Sequence, residues 1–151
     1  MGLKVLPGER VVEFLEDLIY EKTQLQEDGV DLTAKHIYII NIPGGLDFGG
    51  SELEISKRSK FRLEKRDPSD KYGWWNLPSG QYILEFNEKL NLPKGKVGIL
   101  QPRSELIRNG AHHSTLVLSD GLPEVTLSVG SAGIKIKQNA RVSRLMILDV
   151  E

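Results

Sequence analysis

From His36 onward this chain is a succession of short apolar runs broken by glycine, proline, asparagine and aspartate. HIYII from His36, FRLEK from Phe61, QYILEF from Gln81, VGIL from Val97, STLVL from Ser114, EVTLSV from Glu124, IKIK from Ile134 and RLMIL from Arg144 all have strand length. Their spacing suits a sandwich or barrel. Ile134-Lys135-Ile136-Lys137 alternates strictly, which predicts one buried and one wet face. The period differs only near the start. There Val11, Val12, Phe14, Leu15, Leu18 and Ile19 recur at helical spacing while Glu13, Glu16 and Asp17 fill the other face. One amphipathic helix over Val11 to Lys22 is therefore expected, packed outside the β body. The glycine-rich stretch from Pro43 to Gly50 and the charged stretch from Lys65 to Gly73 read as loops or hairpin excursions. With no repeat or linker in view, residues 1–151 are expected to form a single domain.

Composition narrows the partners. Twenty Lys and Arg against twenty-one Asp and Glu give a formal charge of −1, so no overall field draws the chain to nucleic acid or to an acidic membrane. Any anion site must be local. The absence of cysteine removes disulfides, a thiol nucleophile and thiolate metal ligands. No segment approaches the roughly 20 apolar residues that span a bilayer, and the default expectation is a cytoplasmic protein.

One segment has the makings of such a local site. In PRSELIRNG, Pro102 to Gly110, Arg103 offers a planar fork for two phosphate oxygens and Ser104 adds a hydroxyl. Arg108 brings a second permanent cation, and Gly110 lets the chain turn with positive φ. The plain alternative is a basic turn whose arginines are solvated or ion-paired.

PRSELIRNG resembles the phosphate-binding signature of the dCTP deaminase/dUTPase superfamily, and other segments match in the same order. DGVDL, Asp28 to Leu32, resembles the segment that leads into the first barrel strand, and PSGQYILEFNEKLNLP, Pro78 to Pro93, resembles the one before the phosphate motif. NARVSRLMIL, from Asn139, is similar to the G-D-R-I-x-Q-L segment at Arg141, Val142 and Leu145, with Arg144 where relatives carry a phosphate-approaching glutamine. The seven-residue step from Arg103 to Gly110 is nearer the deaminase branch. The resemblance implies a mainly β, distorted barrel or jelly-roll of the dUTPase-like type. It also implies a homotrimer with sites at subunit boundaries, a deoxynucleoside triphosphate as ligand, and Mg2+ bound with it. Asp31 would then support the magnesium-water shell, or else cap the turn after Gly29. Glu105 departs from both branches and must turn outward, bind a metal or pair with Arg108.

The catalytic segment matches least. Laying Val125-Thr126-Leu127 on the deaminase I-T-L places Ser128 where a glutamate would activate water, and a serine cannot take that proton unaided. The dUTPase aspartate falls on Leu118 unless a gap brings in Asp120. Asp120 and Glu124 are the remaining candidate bases, or a turn residue and a strand-end residue. His112 and His113 follow the phosphate motif, where they would position a base or serve packing, and His36 lies in a strand pattern. A zinc deaminase is not expected, because H-x-E with P-C-x-x-C is absent. Two functions follow from the resemblance: a pyrimidine deoxynucleoside triphosphate hydrolase, by dCTP deamination or dUTP hydrolysis, or a catalytically impaired barrel that binds nucleotide or serves in assembly.

Overall fold

The computed structural model describes residues 2–150. Strands hold 47% of the chain and helix 11%, in a sheet curled into a half-barrel, so the mainly β, dUTPase-like expectation is met. Two long strands organise it: a central strand, Val30–Ile42, and a closing strand, Arg141–Val150. The sheet runs Leu116–Leu118, Lys96–Pro102, Arg141–Val150, Val30–Ile42, Gly80–Phe86, Val125–Val129, Ala111–His112. Leu3–Val5 adds to the closing strand and Lys57–Lys60 to the central one, and every pairing is antiparallel.

Alternation tells which face is core. In Gly80–Phe86 the side chains of Tyr82, Leu84 and Phe86 are buried, and in Val125–Val129 those of Val125, Leu127 and Val129. They pack with Leu32, Ile37, Leu100, Leu145 and Ile147, all fully buried. Ile134–Lys137 pairs with Trp74–Leu77 and buries Ile136 while both lysines stay wet, as its pattern predicts. Lys57–Lys60, rather than FRLEK, lines the far half of the central strand. Phe61 ends this pairing, its N–H donating to the Ile37 carbonyl at 2.7 Å and its ring meeting Tyr82 edge-on at 5.6 Å, and of the following residues Glu64 forms a bridge, to Trp74.

The single helix expected over Val11 to Lys22 does not form. The segment breaks into a turn of helix at Gly8–Val11, a tight turn at Val12–Phe14, a short strand at Leu15–Glu16 and a second turn of helix at Glu21–Gln24. Val11 and Leu15 are buried, as the helical period requires, but Leu15 pairs with Leu90 and Asp17 adopts a left-handed φ of 66°. The buried Gln24 explains the rest. Its Oε1 accepts from the backbone N–H of Ile19 at 2.7 Å and of Tyr20 at 2.8 Å, donors that a continuous helix would give to its own carbonyls. Among the described residues no helix is long and apolar enough to cross a membrane.

Candidate functional site

The start of the central strand carries Asp31, the only aspartate among the described residues whose side chain is fully buried. Its position is fixed from several sides. A Cβ on Gly29 would stand 2.5 Å from the Leu145 carbonyl oxygen, so glycine there is what lets the two long strands close. Gln24 Nε2 donates to the Asp31 carbonyl at 2.9 Å and to Glu88 Oε2 at 2.9 Å. Glu88 in turn accepts from the Thr33 N–H at 2.9 Å and its hydroxyl at 2.6 Å. Burial raises the Glu88 pKa, and the Thr33 and Gln24 donors oppose that shift without reversing it.

Three arginines converge on the Asp31 carboxylate. Arg144 Nε lies 2.9 Å from Oδ1, while Arg141 NH1 and Arg103 Nε lie 3.0 Å and 3.3 Å from Oδ2. Gln26 Nε2 also reaches Oδ2, at 3.2 Å. Arg103 follows the strand Lys96–Pro102, and its NH1 donates to the Arg141 carbonyl at 3.0 Å. Arg141 and Arg144 are three residues apart on one strand, which strict alternation would place on opposite faces. A register shift between Arg141 and Ser143 brings both to the Asp31 side.

Three permanent cations around one carboxylate leave positive charge in excess. Asp28, at the solvent edge and 3.9 Å from Arg144, offsets only part of it. Burial pushes the Arg103 pKa down; Asp31 opposes this, and Arg141 and Arg144 add to it. Each guanidinium has five N–H donors, and Asp31 takes one from each, so donors remain for an outside anion. The arginine side chains keep 18%, 33% and 35% exposure, against 0% for the carboxylate beneath them. A cleft of about 830 Å³ opens beside Arg141, between Trp74–Leu77, Ile134–Lys137 and the short helix Ser104–Arg108. That volume is on the scale of small-ligand sites.

Arg103 and Arg144, both expected to face phosphate, thus share one cluster, and Arg141, recognised only as a motif match, joins them. Ser104 opens the helix beside Arg103 and is exposed. Arg108 does not reach the cluster: it pairs with Glu105 one turn back, on the exposed face. Gly110 has the positive φ its place in the motif suggested, 107°. Asp31, expected either to support a magnesium-water shell or to cap the turn after Gly29, has both its carboxylate oxygens held by arginines.

The acids lie elsewhere. Glu124 makes a two-pronged pair with Arg58 at 2.6 Å on each arm, and Arg58 stacks over Tyr38 at 4.2 Å. Tyr38 is seven residues along the central strand from Asp31, roughly 20 Å away at strand rise. Asp120 is exposed in the turn after Leu118, whose ladder partner Gly98 is three residues from Gln101, the partner of Arg144. The base candidates and the phosphate residues are therefore not brought together within one chain.

The adjacent histidines separate. His113 is buried, its Nδ1 donating to the Ser114 carbonyl at 2.9 Å and its Nε2 accepting from the Ser143 hydroxyl at 2.6 Å. Burial lowers its pKa, the Ser114 bond opposing and His112 assisting. His112 is exposed opposite Ser128, whose hydroxyl donates to Gln81 Oε1 at 2.9 Å. His36 meets Tyr38 edge-on, 6.0 Å between ring centres.

The dCTP deaminase-like family model matches residues 5–150. A probable deoxyuridine 5'-triphosphate nucleotidohydrolase of Methanosarcina mazei is 35% identical over 136 residues, covering 87% of this chain and 76% of that protein. The Archaeoglobus fulgidus protein of the same name is 31% identical over 156 residues, covering 97% and 88%. The crystal structure of a 2'-deoxycytidine 5'-triphosphate deaminase from Agrobacterium tumefaciens superposes with a TM-score of 0.68 at 13% identity, a likeness of fold that takes in 97% of this chain. The chain spans about half the length of that deaminase, 48%.

Proposed function

Since this chain belongs to the dCTP deaminase-like family, we propose that it is a pyrimidine deoxynucleoside triphosphate hydrolase of the dCTP deaminase/dUTPase type, with dUTP hydrolysis as its reaction. The observation that carries this reading is the buttressed arginine cluster. Arg103, Arg141 and Arg144 are held from below by Asp31 and present their remaining N–H donors to phosphate oxygens, with Ser104 at the edge. Arg108 contributes less, because Glu105 holds it. The cleft beside Arg141 takes the sugar and base. Ser128 donates its hydroxyl to Gln81 and offers no carboxylate, which argues against dCTP deamination.

In the proposed reaction, a carboxylate takes a proton from water as its oxygen bonds to the α-phosphorus. The bond to the bridging oxygen breaks, and pyrophosphate leaves on the arginines. Asp120 is the better base, because Glu124 is locked to Arg58. It must come from a second copy, since it does not meet the arginines in its own chain, and sites at the boundaries of a homotrimer supply that arrangement. An exposed apolar arm between residues 43 and 56 supports association: Leu46, Phe48, Leu53 and Ile55 are all exposed on it. The cytoplasmic setting is part of the same proposal. The separation of acids from arginines also favours a second reading, a nucleotide-binding protein without turnover.

Mixing two variants separates these readings. Arg103→Ala and Asp120→Asn each lose pyrophosphate release from dUTP, and mixing them under subunit exchange restores part of it if each site draws on two copies. An active Asp120→Asn protein excludes Asp120 as the base.

A further inference from the structure

Resting on the reading of the arginine cluster as a triphosphate seat, we propose that this seat takes its nucleotide without a magnesium ion, Arg144 supplying positive charge in the metal's place. Magnesium needs oxygen ligands in near-octahedral array, from carboxylates, water and substrate phosphates. Within one chain Asp31 is the carboxylate at the centre of the seat, and it does not fit that task. Its Oδ2 receives Arg103, Arg141 and Gln26, its Oδ1 receives Arg144, and its side chain is fully buried. A dication lodged here would also face three guanidinium groups at close range.

Charge explains how the seat works without it. A triphosphate is strongly anionic at neutral pH, and cations must meet that charge whether they come from protein or metal. Arg144 places a permanent cation directly across the ladder from Asp31, where a neutral amide such as glutamine would add no charge. With glutamine at 144, Arg103 and Arg141 would face Asp31 and Asp28, and the seat would be close to neutral. With arginine, positive charge remains even after Asp28 is counted. The side chain that removes the need for a metal is also one that blocks the carboxylate from supporting one.

Calorimetric titration with dUTP, in EDTA and in excess magnesium, tests this, with inorganic tripolyphosphate as a probe of the seat alone. Both ligands bind at least as tightly in EDTA as in magnesium. Arg144→Gln binds at least about tenfold more weakly in EDTA, the scale of one lost hydrogen bond between charged groups, and magnesium restores part of the loss. Arg144→Lys keeps the charge and stays indifferent to magnesium, which guards against a folding defect in the glutamine variant. Binding by the natural chain only in magnesium overturns the proposal while leaving the phosphate seat standing. Binding in neither condition removes the seat, and the proposal with it.

Discussion

Arg144 sits directly across the antiparallel ladder from Asp31, its Nε 2.9 Å from the Asp31 Oδ1. The pairing joins the start of the central strand to the closing strand, beside the Arg103 that follows Lys96–Pro102. Everything proposed for this chain depends on that junction, because it sets three arginine forks over one buried carboxylate.

Removing the carboxylate should cost more stability than removing any single arginine. Asp31→Asn leaves three cations without their counter-charge and is expected to lose about 3 kcal/mol in urea unfolding, near the lower end for a broken buried pair because the arginines keep some solvent. Arg103→Ala should lose less, since Arg141 and Arg144 still hold Asp31, while triphosphate binding weakens by about 2–3 kcal/mol. A reversed order of stabilities would mean that Asp31 does not organise the cluster.

Stability should fall in mild acid through His113. The unfolded imidazole takes a proton near its ordinary value of 6.5, whereas burial holds the folded ring below that value. The unfolded state therefore binds more protons as the pH drops below 6.5. The contribution of the neutral ring is complete above that pH and is lost as the pH falls through the lowered folded value. Thermal melts across this range should show the slope, and His113→Gln should flatten it. An unchanged slope in the variant would assign the acid response to another group.

Some of this was legible in the residues. Tyr82, Leu84 and Phe86 announce their strand by alternation, because a one-residue slip would expose all three. That Arg103 and Arg144 belong to one site is suggested by residue type and motif position, and both do meet at Asp31. The membership of Arg141 is not, because its odd spacing from Arg144 predicts the opposite face, and the register shift that overturns this arises in pairing with the distant segment Leu32-Thr33. The helix over Val11 to Lys22 failed for a related reason. The apolar period is real at Val11 and Leu15, but Gln24, whose buried side chain is itself held by Glu88 from far along the chain, captures the N–H groups of Ile19 and Tyr20. Glu124 is readable as a strand-end acid, yet nothing local shows that Arg58, sixty-six residues earlier, neutralises it.

The exposed arm should hold subunits together. Phe48 and Leu46 extend almost wholly into solvent in the single chain, and replacing both with serine is expected to shift a trimer toward monomer in light scattering at micromolar concentration without altering the circular dichroism. An unchanged trimer would place the interface elsewhere, and a monomeric natural chain would count against a composite site.

The most direct test is incubation of the purified chain with dUTP and with dCTP, measuring pyrophosphate and ammonia separately. The expected result is pyrophosphate from dUTP, little or no ammonia from dCTP, and loss of the dUTP reaction in Arg103→Ala. Robust ammonia release from dCTP would contradict it by showing that a base acts where Ser128 offers none, and no release from either nucleotide would leave a binding protein in place of an enzyme.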